Sequence, residues 1–158
     1  MDDLRKHLVN LLNMEGAHID FDGAVRDFPV ELLGVRPAGA PHTAWQLLEH
    51  MRLAQWDILE FSRDAKHVSP KFPEGYWPPS EAPGSDAAWK KSIAAFRHDL
   101  SEMKKLVSDA RNDLYAKIPH GEGQTLLREA LLAADHNSYH VGQIVLVRKI
   151  VEAAARER

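Results

Sequence analysis

The chain has 158 residues, a formal net charge of −3 and no cysteine. Its hydrophobic share of 44% and charged share of 27% are typical of a soluble globular protein, and we predict a single domain over residues 1–158. The lack of cysteine excludes a disulfide framework, a thiolate nucleophile and any cysteine-based zinc site, so a bound metal ion would have His, Asp or Glu ligands.

Charge and hydropathy along the chain argue against two classes of partner. Lys and Arg are scattered rather than clustered, which is unlike a nucleic-acid-binding surface. Residues 1–6 have no apolar signal segment, and no window approaches the ~20 apolar residues that span a bilayer. We therefore expect a cytoplasmic protein that binds neither nucleic acid nor membrane.

The helical spacing of apolar residues predicts a first helix from about Asp2 to Asp27. In the second half of this helix, the positions that continue the apolar face are polar, namely Glu15, His18 and Asp22. Two interpretations are open. Either this end of the helix is solvated, or the three side chains face a polar cavity.

A second helix is predicted from about Ala44 to Lys66, with Thr43 as its N-cap. His50 lies about two turns into this helix, at the edge of the apolar stripe. The spacing alone is consistent with two roles for His50. It could be a hydrogen-bonded histidine at the border of the core, or a metal ligand.

Five prolines between His67 and Gly84 exclude a helix, so we predict a long proline-rich loop over residues 67–84. Phe72, Tyr76 and Trp77 lie between these prolines. Because long loops without regular structure are uncommon in small domains, this one is expected to be ordered and packed against the protein. It would either cover one end of a site or only fill the core.

A third helix is predicted from Asp86 to about Lys117, with Ser85 as its N-cap. Its apolar residues alternate steps of four and three over more than three heptads, as expected for a helix packed in an antiparallel bundle. This pattern indicates that these residues pack in the core, and it does not suggest a functional site.

The fourth predicted helix runs from about Gln124 to Ala155, after a short turn at residues 119–123. The short turn predicts that the third and fourth helices are antiparallel neighbours. No strand pattern is found, so the predicted fold class is all-α. We expect a four-helix bundle with the proline-rich loop between its second and third helices.

The fourth helix places His136 and His140 four residues apart, on one face. Such pairs are common in helices, and a metal site usually needs a third ligand, for which His50 is the candidate if the second and fourth helices are adjacent. Position 137 is Asn, so the His-Glu-x-x-His motif with its general base is absent from this segment. Gln143 lies on the same face and could orient a ligand or a substrate.

Two segments, residues 45–51 and 135–144, resemble the DinB/YfiT-like superfamily of four-helix metal proteins. The resemblance implies a metal site with one histidine from the second helix and two from the fourth, which correspond to His50, His136 and His140. It also implies a divalent transition metal (nickel, zinc or iron), a small-molecule substrate, with a low-molecular-weight thiol among the candidates, and a homodimer.

These observations lead to an expected function as a divalent-metal-dependent enzyme with an open three-histidine site. The ion would lower the pKa of a thiol in an S-transferase, or of water in a hydrolase. Glu15, His18 or Asp22 could accept the proton if that face meets the site.

The alternative is a non-catalytic metal-binding or stress-related dimeric bundle protein, for which a fourth protein ligand would be evidence. A third interpretation has all three histidines as hydrogen-bonded polar residues without a metal.

Overall fold

The computed structural model describes residues 2–157, and their regular structure is helical. The four long helices form a bundle, which confirms the predicted all-α fold. Within residues 2–157 the β-type pairing is limited to an isolated bridge, and every helix is too short or too polar to traverse a lipid bilayer. The helices are α1 (Asp3–Leu12), α2 (Phe21–Val25), α3 (Ala44–Arg63), α4 (Asp86–Ser108) and α5 (Leu126–Arg156).

Two predicted helix starts are confirmed by hydrogen-bonded caps. The side chain of Thr43 accepts a hydrogen bond from the backbone N–H of Gln46, and the Gln46 side chain caps Thr43 in return. The Ser85 side chain accepts from the backbone N–H of Ala88 in the same way. Each cap satisfies a backbone donor that the first helical turn leaves without a partner.

The predicted continuous first helix is wrong, because the chain leaves the helix after Leu12. Met14 and Gly16 adopt positive φ angles of 60° and 96°, and the backbone turns at these positions. A separate short helix, α2, then begins at Phe21 with Asp20 as its N-cap. Residues on both sides of the break are buried, so the apolar spacing continues although the helix does not.

The end of α4 also differs from the prediction, since the helix stops at Ser108 and not near Lys117. Arg5 of α1 is 7% exposed, and its guanidinium reaches the end of α4. The last carbonyl groups of a helix have no partner within it, and a buried arginine can satisfy them as the chain turns away. The guanidinium donates to the carbonyl oxygens of Val107 (2.6 Å), Asp109 (3.0 Å) and Asn112 (2.6 Å).

Helix α3, which carries His50, packs beside α5, which carries His136 and His140. It packs against both α4 and α5, and α1 packs against the same two helices from the other side. Helices α4 and α5 contact each other less than either contacts α3 or α1, so they lie at diagonal corners and are not the main neighbours that the short turn predicted. The connection over residues 109–125 is longer than predicted, which allows the chain to cross the end of the bundle.

A buried hydrogen bond joins α3 to α5 at the level of the candidate histidines. Nδ2 of Asn137 donates to Oε1 of Gln55 over 2.7 Å, and both side chains are almost completely buried. Because a buried amide without a partner is unfavourable, this contact favours one register of the two helices. His50 lies upstream of Gln55 and His136 precedes Asn137, so the same register brings these histidines together.

Candidate metal centre

His50 of α3 and His136 and His140 of α5 form a compact group. Each offers one ring nitrogen, and these three atoms lie within 4.8 Å of one another. Nε2 of His50 and Nε2 of His136 are 3.0 Å apart. Two nitrogens that each bind one ion at about 2.1 Å would be separated by roughly 3 Å, so the observed spacing fits a shared ion.

In two of these rings, a hydrogen bond to one nitrogen determines that the other nitrogen can bind a metal ion. Nδ1 of His50 donates to the backbone carbonyl of Tyr76 over 2.9 Å, and Nδ1 of His140 donates to Oε1 of Gln143 over 2.6 Å. A ring that donates through Nδ1 carries its lone pair on Nε2 when it is neutral. Metal-binding histidines are commonly oriented by such contacts.

His136 lacks a comparable partner. Its Nδ1 is buried and makes no hydrogen bond, and its Nε2 faces the lone pair on Nε2 of His50. Nδ1 of His136 has no partner in either tautomer, which costs about 1–3 kcal/mol, and a proton on Nδ1 also leaves two Nε2 lone pairs facing each other. A cation between the rings would remove the repulsion between the two Nε2 lone pairs. The Nε2 atoms of His50 and His136 are therefore placed to share a cation.

The electrostatic environment keeps the rings neutral. Burial, reinforced by the neighbouring His140 and His50, lowers the pKa of His136 to about 3. Burial likewise lowers the pKa of His140 to about 4, and it lowers the pKa of His50. Neutral imidazole is the form that binds a metal ion, because the lone pair is free.

The connection between α3 and α4 lies against one side of the histidine group. The indole of Trp77 is parallel to the ring of His50, with centroids 3.9 Å apart, and His42 stacks on Trp77 at 3.8 Å. The hydroxyl of Tyr76 donates to Oδ2 of Asp57 over 2.6 Å, which holds this part of the loop on α3. These contacts shield one face of His50 from water.

Of the four other candidate residues, the structure places one in contact with the histidine group and the other three elsewhere. Gln143 contacts the group through His140. Glu15 and Asp22 line a cleft on the α4 side of the bundle, where Asp22 forms a 2.7 Å ion pair with Arg97. His18 is exposed. The compact group of possible metal ligands consists of the three histidines and includes none of these three residues.

The sequence did not indicate two features of the site. His42 lies in the connection before α3, where no periodic pattern applies, and it lines an apolar cleft together with Leu47, Gln143 and Leu146. Phe72, which was expected to pack against the protein with the other loop aromatics, is 81% exposed. In the part of the chain that the structure describes, no fourth His, Asp or Glu joins the three-histidine group, so an ion there would keep positions for water or substrate.

Comparison with known families agrees with this geometry. A family model described as the DinB superfamily matches residues 14–144, a range that includes all three histidines and Gln143. The comparisons with curated proteins and with solved structures gave no significant match. Because the family model covers most of the sequence, the chain belongs to the DinB superfamily.

Proposed function

We propose that this protein binds one divalent transition metal through His50, His136 and His140 and acts as a thiol S-transferase. One observation carries the proposal: three neutral imidazoles from two helices place their donor atoms within 4.8 Å of one another. Membership of the DinB superfamily supports it. Nickel, zinc and iron(II) are the candidate ions, since all three accept imidazole ligands.

The protein residues would perform three tasks at this centre. The three rings hold the ion and leave the remaining positions open. The carbonyl of Tyr76 and the amide of Gln143 orient two of the rings, and Trp77 excludes water from one side. When bound, a divalent ion acts as a Lewis acid and lowers the pKa of a thiol or water in an open position.

The surroundings of the histidines favour a thiol over water as the nucleophile. Outside the group, their hydrogen-bond partners are a backbone carbonyl and an amide, and neither of these is a general base. A thiol with a pKa of about 8.5 needs only a small decrease to ionise at neutral pH. Water starts from a pKa of about 15.7 and needs a far larger one.

The reaction that fits is the transfer of a low-molecular-weight thiol to a carbon electrophile. The thiol loses its proton to solvent, its sulfur forms a bond to the carbon, and the displaced group leaves with the electron pair of the broken bond. A hydrolase is the second candidate, because the same open positions can accept water.

The test uses untagged protein that has been stripped with a chelator and reloaded separately with zinc, nickel or iron(II). Each form is incubated with glutathione or cysteine and an aryl halide. We expect metal-dependent product formation above the rate of free metal ion, and its loss in His140→Ala. Glu15→Ala, outside the histidine group, is the control and should keep wild-type activity.

Two outcomes would contradict different parts of the proposal. Bound metal without any acceleration, with several thiols and electrophiles, would contradict S-transfer and favour the non-catalytic alternative. Absence of bound metal in the reloaded wild-type protein would contradict the metal site itself.

A further inference from the structure

Asp57 of α3 is a buried carboxylate, and both of its oxygens accept hydrogen bonds from the connection over residues 64–85. The residue is 9% exposed. Nε2 of His67 donates to Oδ1 over 2.7 Å, and the hydroxyl of Tyr76 donates to Oδ2 over 2.6 Å. Aspartate is rarely buried unless it is paired, and here each oxygen has its own donor. The two contacts tie the beginning and the middle of the connection to one point on α3.

Hydrogen bonds and ring stacking, and not burial in the core, hold this connection in place. Every residue from 64 to 85 is at least partly exposed, and the short turn Glu74–Tyr76, which packs on α3, contains no buried residue. The end of the connection is attached elsewhere, since the hydroxyl of Thr43 donates to the carbonyl of Glu81 over 2.6 Å. The part between His67 and Tyr76 is held on α3 through Asp57.

Tyr76 links Asp57 to the histidine group. Asp57 lies seven residues after His50, about two helical turns, so the two side chains are on the same side of α3. The side chain of Tyr76 reaches Asp57, and its backbone carbonyl accepts from Nδ1 of His50 over 2.9 Å. The next residue, Trp77, stacks on the ring of His50 with centroids 3.9 Å apart. The position of Tyr76 therefore determines two contacts that orient His50.

We infer that Asp57 is a positioning residue of the histidine group. By holding Tyr76, it keeps the Tyr76 carbonyl and the Trp77 indole against His50, which fixes the orientation of that ring and keeps its proton on Nδ1. Nε2 then carries the lone pair. Groups that orient metal-binding histidines affect metal affinity although they do not touch the ion. The effect on affinity rests on the proposed function, whereas the effect on the His50 ring is present in the metal-free protein.

A role of Asp57 in stability alone makes a different prediction, and two variants separate the two roles. Tyr76→Phe removes the hydroxyl that reaches Asp57 and leaves the backbone carbonyl beside His50 in place. Asp57→Asn keeps an oxygen that can accept from Tyr76, and its amide can donate to His67. If Asp57 positions His50, the first variant loses the effect and the second retains it.

The first measurement is nitrogen-15 NMR of the histidine rings in the metal-free, untagged full chain at pH 7. In the wild type and in Asp57→Asn, His50 should be a single tautomer with its proton on Nδ1. Asp57→Leu and Tyr76→Phe should give a His50 ring that exchanges between its two tautomers. His140, whose Nδ1 bonds to Gln143, should keep its tautomer in every variant and is the internal control.

The second measurement is zinc affinity by competition with a chromophoric chelator. Asp57→Leu should weaken zinc binding by about 10–100-fold, and Tyr76→Phe should weaken it in the same direction. The double variant should bind zinc as Asp57→Leu alone does, because both substitutions act through one contact. Asp57→Asn should stay close to the wild type.

Two controls separate positioning from general effects. Tyr115→Phe removes the hydroxyl of a tyrosine that is 67% exposed. Arg5→Leu removes the hydrogen bonds at the end of α4 and should lower the melting temperature without contact to the histidine group. Both variants should keep the zinc affinity and the His50 tautomer of the wild type. Far-UV circular dichroism and thermal melting check that each variant folds, and Tyr76→Phe decides the question if Asp57→Leu does not.

Two results would overturn the positioning role. One is a single His50 tautomer in Tyr76→Phe and in folded Asp57→Leu. The other is an equal loss of zinc affinity in Arg5→Leu, which would assign the effect to stability. A wild-type protein that binds no zinc would contradict the proposed function, and the tautomer of His50 in the metal-free variants would still decide the role of Asp57.

Discussion

Nε2 of His50 lies 3.0 Å from Nε2 of His136, although the two residues are 86 positions apart in the chain. The contact depends on the packing of α3 against α5, which the buried Gln55–Asn137 hydrogen bond helps to align. It adds a third imidazole to a pair that one helix already provides.

Gln143 is expected to control metal affinity through His140. Gln143→Leu removes the acceptor of the His140 Nδ1 proton and should weaken metal binding by about 10–100-fold. Gln143→Glu retains an acceptor oxygen and should stay close to the wild-type affinity. A competitive titration with a chromophoric chelator measures both. Equal affinities for the wild type and Gln143→Leu would show that this hydrogen bond does not orient the ligand.

The buried amide pair is expected to contribute to stability as a unit. Asn137→Leu leaves the Gln55 carboxamide buried without a partner and should lower the free energy of unfolding by about 1–3 kcal/mol. Adding Gln55→Leu should restore most of this loss, because neither polar group then remains. Urea unfolding of the metal-free proteins is the measurement. A double variant whose loss equals the sum of the two single losses would contradict the pairing.

The metal-free protein is expected to lose stability below pH 6.5. The pKa of His136 is lowered to about 3 and that of His140 to about 4 in the folded protein, whereas histidines of the unfolded chain titrate near their ordinary value. Between these values the unfolded chain binds more protons, so acid favours unfolding. The loss begins near pH 6.5 as the pH falls, and the contribution of these two groups levels off below about pH 3.

His136→Gln should remove part of this pH dependence. Urea midpoints of chelator-treated wild type and variant at pH 7 and pH 5 provide the comparison. His18→Gln, at an exposed histidine, controls for the loss of one imidazole elsewhere. If the midpoint of His136→Gln falls by the same amount as that of the wild type, burial of His136 does not produce the effect.

Much of the fold could be predicted because it depends on local patterns. Cap residues such as Thr43 and Ser85 act within one turn, and apolar periodicity identifies the faces that meet in the core. The sequence also identified the three histidines: His136 and His140 by their spacing, and His50 as the third candidate, which the resemblance of its segment supported. The order of the long helices and the residues of the central group agree with the structure.

The errors arise where distant contacts decide the local structure. The heptad pattern continues to Leu114, which is buried although α4 has already ended. The carbonyl groups at that end are satisfied by Arg5, more than one hundred residues away in the chain. In the first predicted helix, apolar spacing likewise continued across the turn at Gly16. Periodicity detects which side chains are buried, and a turn can bury them as well as a helix.

Which aromatic residues of the loop pack over the site could be predicted only in part. Proline spacing and aromatic content indicated an ordered loop, but periodicity could not distinguish Trp77, which stacks on His50, from the exposed Phe72. Glu15, His18 and Asp22 were assigned from a continuous helix that the structure does not contain. In the structure, Glu15 and Asp22 line a separate cleft and His18 is exposed.

The central claim is tested most directly by the metal content of four proteins. Untagged wild type, His50→Ala, His136→Ala and His140→Ala are loaded with zinc or nickel, dialysed and measured by elemental analysis. We predict close to one ion per chain in the wild type and a large loss in each variant, because each removes one of three ligands. Unchanged metal content in all three variants, or none in the wild type, would contradict the three-histidine metal centre.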